Sequence, residues 1–160
     1  MIKLQNPYQD RPGHDCFGCS PRNPAGLRMV FYEDGDEVVS TWQADERYQG
    51  FHDVLHGGIQ ATMMDEIASW VVFVKAGTAG VTRALNVKYK KPVFLTRGDV
   101  VLRARLASLR HGLAVIRVDL CDGEGTLCST GEATYVALPE DRARKDLHYP
   151  GKSAFYPMEK

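Results

Sequence analysis

A long apolar segment in the first half of the chain limits the possible folds more than any other feature. Residues 59–74 are mostly apolar, and Gln60, Asp65 and Glu66 are the strongest interruptions. The segment is shorter than the ~20 apolar residues that a membrane-spanning helix needs. A helix that is apolar on most sides must be covered on most sides. We therefore predict a buried helix over residues 58–74, surrounded by the rest of the chain.

Most of the remaining chain consists of β-prone runs separated by turn residues. Apolar and polar side chains alternate along these runs, which is typical of strands with one buried face. Tight turns between consecutive runs favour an antiparallel meander. Together with the helix, they predict an α+β fold in which a curved antiparallel sheet wraps around one long central helix. The predicted strands cover residues 27–32, 37–42, 81–93, 99–109, 113–121 and 127–138.

Composition divides the chain into three parts. Residues 1–26 are rich in Pro, Gly, Asn and Asp, which predicts an irregular N-terminal arm. Residues 27–138 hold the helix and the strands and are predicted to form a single domain. Residues 139–160 are polar with few apolar side chains, which predicts a loosely docked C-terminal extension.

Charge and cysteine content exclude several classes of protein. The chain has 20 Lys and Arg against 20 Asp and Glu, so no overall field favours nucleic acid or an anionic membrane. The first residues include neither a basic start nor an apolar stretch, so no signal peptide is visible and we expect a cytoplasmic location. Four cysteines are too few to indicate a disulfide scaffold, which fits a reducing compartment.

The start of the predicted helix has features of a binding site. His56 is followed by Gly57 and Gly58, and Asp65 lies two helical turns further on. A helix N-terminus exposes unpaired N–H groups, and glycines let a ligand oxygen approach them closely. Asp65 has an alanine about one turn away on either side, which leaves room for a substrate. A carboxylate on such an apolar stripe is a candidate base or nucleophile, although a structural hydrogen bond is the commoner reason for one.

Glu66 is the second acidic residue of the helix. It lies about 100° around the helix from Asp65, on a more polar stripe. We therefore interpret Glu66 as exposed or interfacial and assign the chemistry to Asp65.

Three segments resemble a known family. Residues 56–66 resemble the helix signature of hotdog thioesterases related to the phenylacetate-pathway enzyme. Residues 81–93 are similar to the strand that follows the helix in that family, and residues 16–27 resemble the N-terminal arm of one branch. The resemblance extends over residues 16–138. It implies a hotdog fold and an acyl-CoA thioesterase that releases the free acid and coenzyme A.

The resemblance also implies roles for individual residues. Asp65 is expected to act as general base or nucleophile, and the Gly58 amide to polarise the thioester carbonyl. His56 is expected to support the site, and Thr82 to orient the attacking water. Gly50 stands where some relatives carry Asn, which is a departure from the family pattern.

Substrate binding and assembly complete these expectations. Gly57, Asn86, Lys88 and Lys90 are candidate contacts for acyl-CoA, and the lysines would meet its phosphates. Related hotdog subunits pair along a strand edge, so a homodimer or a homotetramer built as a dimer of dimers is expected, with Asp65 working across the subunit interface. Pairing would also hide an exposed edge strand.

The arm contains a further motif. Cys16 and Cys19 have the spacing of a zinc knuckle, and His14 stands nearby. A tetrahedral zinc site needs four ligands, and no second CxxC pair is present. A turn packed on the end of the barrel is therefore favoured over a structural zinc held by the two cysteines and one or two histidines, and over a redox pair. No cofactor is expected to be required for catalysis.

Two other functions compete with hydrolysis. A hotdog hydratase would add water to an unsaturated acyl chain, and it would resemble a different motif of a catalytic His and an acid. A non-catalytic acyl-CoA sensor would bind the ligand without turnover.

Overall fold

A computed structural model describes residues 1–158 and has the expected architecture of one long helix against an antiparallel sheet. The sheet has seven strands in the order β1-β2-β3-β5-β6-β7-β4. This confirms the predicted hotdog fold class. The elements are β1 (Ile2–Lys3), β2 (Phe31–Asp34), β3 (Glu37–Trp42), α1 (Gly57–Val71), β4 (Gly80–Tyr89), β5 (Val100–Arg110), β6 (Leu113–Cys121), β7 (Leu127–Ala137) and α2 (Glu140–Leu147). Single turns of 3-10 helix occupy Glu46–Tyr48, Leu95–Arg97 and Lys152–Phe155.

The central helix α1 begins and ends close to the predicted bounds. His56 caps its start, since its side chain accepts a hydrogen bond from the Gly58 amide. A wider helical turn continues α1 over Val72–Ala76, and Gly77 closes it with a φ of 69°, a left-handed conformation that suits glycine. The fully buried side chains of α1 pack against β3, β4, β5, β6 and β7. The apolar circumference of the helix therefore has the cover that the sequence requires.

The order of the strands differs from a simple meander. Strands β5, β6 and β7 are consecutive neighbours, but β4 pairs with β7 and β5 pairs with β3. The connection from β4 to β5 runs instead along the loop before α1, where the amide of Leu55 donates to the carbonyl of Val93 at 2.9 Å and the amide of Leu95 donates to that of Asp53 at 2.9 Å. This contact carries the chain across the molecule, so β4 and β5 lie apart in the sheet.

Strand β4 forms one edge of the sheet. It pairs with β7 on one side only, and most of its side chains are exposed, including Val81 at 51 %. A long unpaired edge exposes N–H and C=O groups that can pair with a strand of another chain.

The N-terminal arm and the described part of the C-terminal tail contact each other. The amide of Gln5 donates to the carbonyl of Phe155 at 2.8 Å. Tyr149 and Phe155 are only 2 % and 0 % exposed, and both stack on Phe73 at the end of the central helix. The described part of the tail is therefore firmly docked, unlike the loose extension expected from its polar composition.

No helix within residues 1–158 is both long enough and apolar enough to cross a membrane.

Candidate functional site

Asp65 lies half-buried on α1 and faces two hydroxyl groups of the sheet. Its Oδ1 atom accepts hydrogen bonds from Thr82 Oγ1 at 2.8 Å and from the Tyr135 hydroxyl at 2.6 Å. The same hydroxyl lies 2.7 Å from the main-chain carbonyl oxygen of Asp65. Oδ2 has no hydrogen-bond partner among residues 1–158. One carboxylate oxygen is therefore fixed, and the other is free to meet a ligand or water.

A bulge in β4 brings Thr82 to this position. The pairing of β4 with β7 shifts register between Thr82 and Ala84, so Arg83 is the extra residue. Without this shift, Thr82 and the core residue Leu85 would point to opposite faces of the strand. With it, both face the helix, and the Thr82 hydroxyl reaches Asp65.

Tyr135 supplies the second hydroxyl from β7, where it is almost fully buried. Burial, and then the hydrogen bond to Asp65, raise the pKa of Tyr135 above its usual range. The phenol therefore stays protonated and remains a hydrogen-bond donor to the carboxylate.

The start of α1 forms a second group of predicted residues. His56 Nδ1 accepts the hydrogen bond of the Gly58 amide at 2.9 Å. The Tyr89 hydroxyl donates to the Gly57 carbonyl at 2.6 Å, and its ring would lie 3.4 Å from a Cβ atom on Gly57. The first turn is thus fixed from both sides. A ligand carbonyl that approaches the Gly58 N–H must share that hydrogen with His56 or displace the imidazole.

A surface cleft of about 400 Å³ opens beside this turn. Gly50 lies behind it, because a Cβ atom there would come within 3.4 Å of His56. A side chain at position 50 would therefore contact His56 without a clash. The cleft is lined by Arg47, Tyr48, Gln49, His56, Gly58, Ile59 and Thr62.

The distance between these two groups matters for any shared chemistry. Gly58 and Asp65 are seven residues apart on one helix, which is roughly 10 Å along the axis. They lie on similar sides of the helix, but one small acyl carbonyl cannot contact both within a single chain.

The predicted phosphate contacts lie elsewhere. Asn86 and Lys88 are on the face of β4 opposite to Leu85 and Val87, which pack into the core. With Arg105 they line an outer-face pocket of about 260 Å³. Lys90 follows the end of β4 and is exposed. Asp119 and Glu132 also line this pocket, so its charge is mixed, and the sheet separates it from α1 of the same chain.

Two site residues were not predicted from the sequence. Tyr135 stands at an inward position of β7, and a buried tyrosine hydroxyl normally finds an acceptor. That signal identifies a hydrogen bond but not its partner. Tyr89 ends β4, and only the fold places it against the first turn of α1.

Glu66 and the cysteine pair lie together on another side of α1. The Cys16 thiol donates to Glu66 Oε2 at 3.5 Å, and Trp70 Nε1 donates to Oε1 at 3.2 Å. Glu66 is therefore covered by the N-terminal arm rather than exposed. It shares no hydrogen bond with the two donors of Asp65.

Comparisons with known proteins agree with this architecture. The human acyl-coenzyme A thioesterase 13 is 29 % identical over 100 residues, which cover 61 % of this chain and 71 % of the human protein. A solved thioesterase from Haemophilus influenzae is 25 % identical with a TM-score of 0.62, over 70 % of this chain and 79 % of that one. A Streptococcus mutans protein solved with acetyl CoA shares the fold, with a TM-score of 0.62 at 20 % identity, over 70 % of this chain and 88 % of that one.

An antiparallel sheet packed against one long central helix is the hotdog fold. Residues 52–129 match the Thioesterase superfamily. The matching segment includes α1, β4, β5, β6 and the start of β7.

Proposed function

We propose that this chain hydrolyses acyl-CoA thioesters to the free acid and coenzyme A, with Asp65 as the reacting carboxylate. The relatives support the broader class expected from the sequence, a thioester hydrolase. The observation that carries the proposal is the hydrogen bonding of Asp65. Thr82 and Tyr135 hold its Oδ1 atom, while Oδ2 is left free to act. We also propose membership among the phenylacetate-pathway type of thioesterases, which rests on the resemblance of residues 56–66.

Two routes are compatible with this geometry. As a general base, Asp65 takes a proton from water, whose oxygen attacks the thioester carbon. As a nucleophile, Oδ2 attacks that carbon directly, and water then opens the mixed anhydride. In both routes the carbon–sulfur bond breaks and the sulfur leaves as the thiol of coenzyme A. The Gly58 amide stabilises the negative charge on the carbonyl oxygen once it is released from His56.

The separation of Gly58 and Asp65 supports a site built by two chains. Since the two groups of one chain are roughly 10 Å apart, the Gly58 amide would act with Asp65 of a second copy. The exposed edge strand β4 offers the surface for that pairing, because it carries Thr82 and has one unpaired side. The proposal is therefore a homodimer with two sites at its interface, alone or within a homotetramer.

Coenzyme A would lie across the edge of β4 in this arrangement. The pocket formed by Asn86, Lys88 and Arg105 faces away from α1 of its own chain, so it would serve the site of another subunit. Its cationic side chains suit the phosphates of the nucleotide.

Substitution of Asp65 tests the chemistry. Asp65→Asn keeps the size of the side chain and removes its basicity, so kcat should fall by roughly 10²–10⁴-fold, the usual size of general-base effects. The measurement is release of free thiol from short, long and aromatic acyl-CoAs. Asp141→Asn on the exposed helix α2 is the matched control and should keep full activity.

Three outcomes would contradict the proposal. Full activity of Asp65→Asn would remove Asp65 from the mechanism. Binding of acyl-CoA without any thiol release would favour a sensor. Addition of water to a crotonyl thioester would favour a hydratase.

Mixing two inactive variants tests whether the site is shared. Gly58→Pro removes the amide hydrogen at a position in the first turn, where helices tolerate proline. Co-expression of this variant with Asp65→Asn places both changes in one site of a mixed dimer and leaves the other site intact. We expect recovery of about a quarter of wild-type activity from random pairing into dimers. No recovery from dimers shown to be mixed would mean that each chain forms its own site.

A further inference from the structure

The N-terminal arm and α1 enclose a cluster of side chains that the proposed hydrolysis does not use. Cys16, Cys19 and Glu66 each direct one sulfur or oxygen atom into it, and these atoms lie within 4.8 Å of one another. All four cysteines of the chain are free thiols. The cluster joins a turn of the arm to the middle of the central helix. The hydrogen bond between Cys16 and Glu66 links residues that are 50 positions apart in sequence.

We propose that this cluster binds one zinc ion through Cys16 Sγ, Cys19 Sγ and the carboxylate of Glu66, with His14 Nε2 as the fourth ligand. Zinc prefers four ligands in a tetrahedron, drawn from thiolate, imidazole and carboxylate. Ligand atoms bound at ~2.0–2.3 Å from a tetrahedral ion lie roughly 3.5–4 Å apart. The separation of up to 4.8 Å therefore needs to close by about 1 Å, which small side-chain rotations supply.

His14 is the candidate for the fourth position because of its Nε2 atom, although its ring nitrogens are not among the atoms that lie within 4.8 Å of one another. The atom is shielded from solvent and has no hydrogen-bond partner, and it is the single buried side-chain nitrogen or oxygen atom in residues 1–158 with that property. His14 lines the same cavity of about 540 Å³ as Cys16, Cys19 and Glu66. A buried nitrogen without a partner is costly, and a metal ion would satisfy it.

The surroundings of the sulfur atoms match a metal site. Asn6 Nδ2 donates to the Cys19 sulfur at 3.5 Å. Such N–H donors stabilise thiolates and orient them, as outer-shell groups do around bound metals. A Cβ atom on Gly18 would overlap the Glu66 carboxylate, so glycine lets the turn approach that carboxylate closely.

Charge gives a separate argument. Glu66 is half-buried, and no Lys or Arg of residues 1–158 forms an ion pair with it. Two thiolates and a carboxylate would be strongly repulsive in this place without a cation. A divalent ion with soft character is the group that neutralises such a set, which favours zinc over magnesium or calcium.

Metal content of the reduced full-length chain tests the proposal without reference to turnover. After reconstitution with zinc and gel filtration, we expect one zinc per chain by mass spectrometry of the metal. Cobalt in place of zinc should give a thiolate-to-cobalt charge-transfer band. Cys16→Ser with Cys19→Ser should abolish both signals, and Cys121→Ser, a free cysteine of β6, should leave both unchanged.

Two further variants test the other ligands. Glu66→Gln keeps an acceptor for Trp70 but removes the charge, and His14→Ala removes the imidazole. Each should weaken zinc in a competition titration by at least about tenfold, the lower bound seen even for groups that only support a ligand. Circular dichroism identifies variants that fail to fold.

Different results would contradict the zinc site as a whole and the role of a single ligand. A folded wild-type chain that takes up neither zinc nor cobalt overturns the proposal, as does zinc retained by the double serine variant. Unchanged affinity in Glu66→Gln or His14→Ala overturns the assignment of that residue.

Discussion

Removal of the Tyr135 hydroxyl probes how the carboxylate of Asp65 is held. In Tyr135→Phe the ring still fills its place in the core, so no cavity forms, and only the hydrogen bonds to Asp65 are lost. A hydrogen bond to a charged group contributes about 1.5–3 kcal/mol. Because Asp65 is half-buried, water replaces part of this, and we expect a loss of about 1–2 kcal/mol in the free energy of unfolding. The melting temperature should fall by roughly 2–8 °C.

The effect of Tyr135→Phe on turnover follows from the loss of the same hydrogen bond to Asp65. If it fixes the direction of Oδ2, a loss of about 1.4 kcal/mol in the transition state lowers kcat about tenfold, with little change in KM. Thermal unfolding and steady-state thiol release measure the two effects. Tyr149→Phe is the matched control, since that buried hydroxyl donates to the Phe73 carbonyl at 2.9 Å and should cost stability without lowering kcat. Wild-type kcat in folded Tyr135→Phe would refute the positioning argument.

Three other substitutions test the fold. Asp122 accepts from Arg97 and two amides; although burial raises its pKa, these bonds hold the pKa below its usual value of 3.8. The stabilisation by these bonds is therefore present at neutral pH and lost as the pH falls through the lowered pKa. Asp122→Asn should lower the free energy of unfolding, measured in urea, by about 2–3 kcal/mol at neutral pH and by progressively less in acid. Gly80→Ala places a Cβ atom on the Val136 carbonyl and should cost about 1–3 kcal/mol; a change below ~0.5 kcal/mol would contradict that contact. Phe155→Ala should cost about 3–5 kcal/mol if the tail is docked as described, and a loss under ~1 kcal/mol would mean that it is not.

The central helix could be predicted from the sequence because its signals are local. Its apolar circumference identifies a covered helix, and His56 and Gly77 mark its two ends. The position of Asp65 on that helix follows from the same periodicity. These predictions depend on residues within a few turns of one another, where sequence spacing determines geometry.

The order of the strands depends on distant contacts, so alternation alone could not predict it. The alternating pattern identifies β4 and β5 as strands but not their neighbours. Their separation follows from the contacts of Val93 and Leu95 with the loop before α1. The docking of the C-terminal tail could not be predicted for a similar reason. Tyr149 and Phe155 look isolated in a polar sequence, and their partner Phe73 is some 80 residues away.

The two acids of α1 are neighbours in sequence but meet different parts of the molecule. Asp65 faces the hydroxyls of Thr82 and Tyr135, whereas Glu66 faces Cys16 of the arm. Consecutive residues of a helix point about 100° apart. The side chains of Asp65 and Glu66 therefore share no hydrogen-bond partner among residues 1–158. A metal bound at Glu66 would therefore fix the arm and the rotation of α1 without touching the donors of Asp65. It follows that Glu66→Gln should lower zinc affinity while the hydroxyl contacts of Asp65 remain, so the two proposals can fail independently.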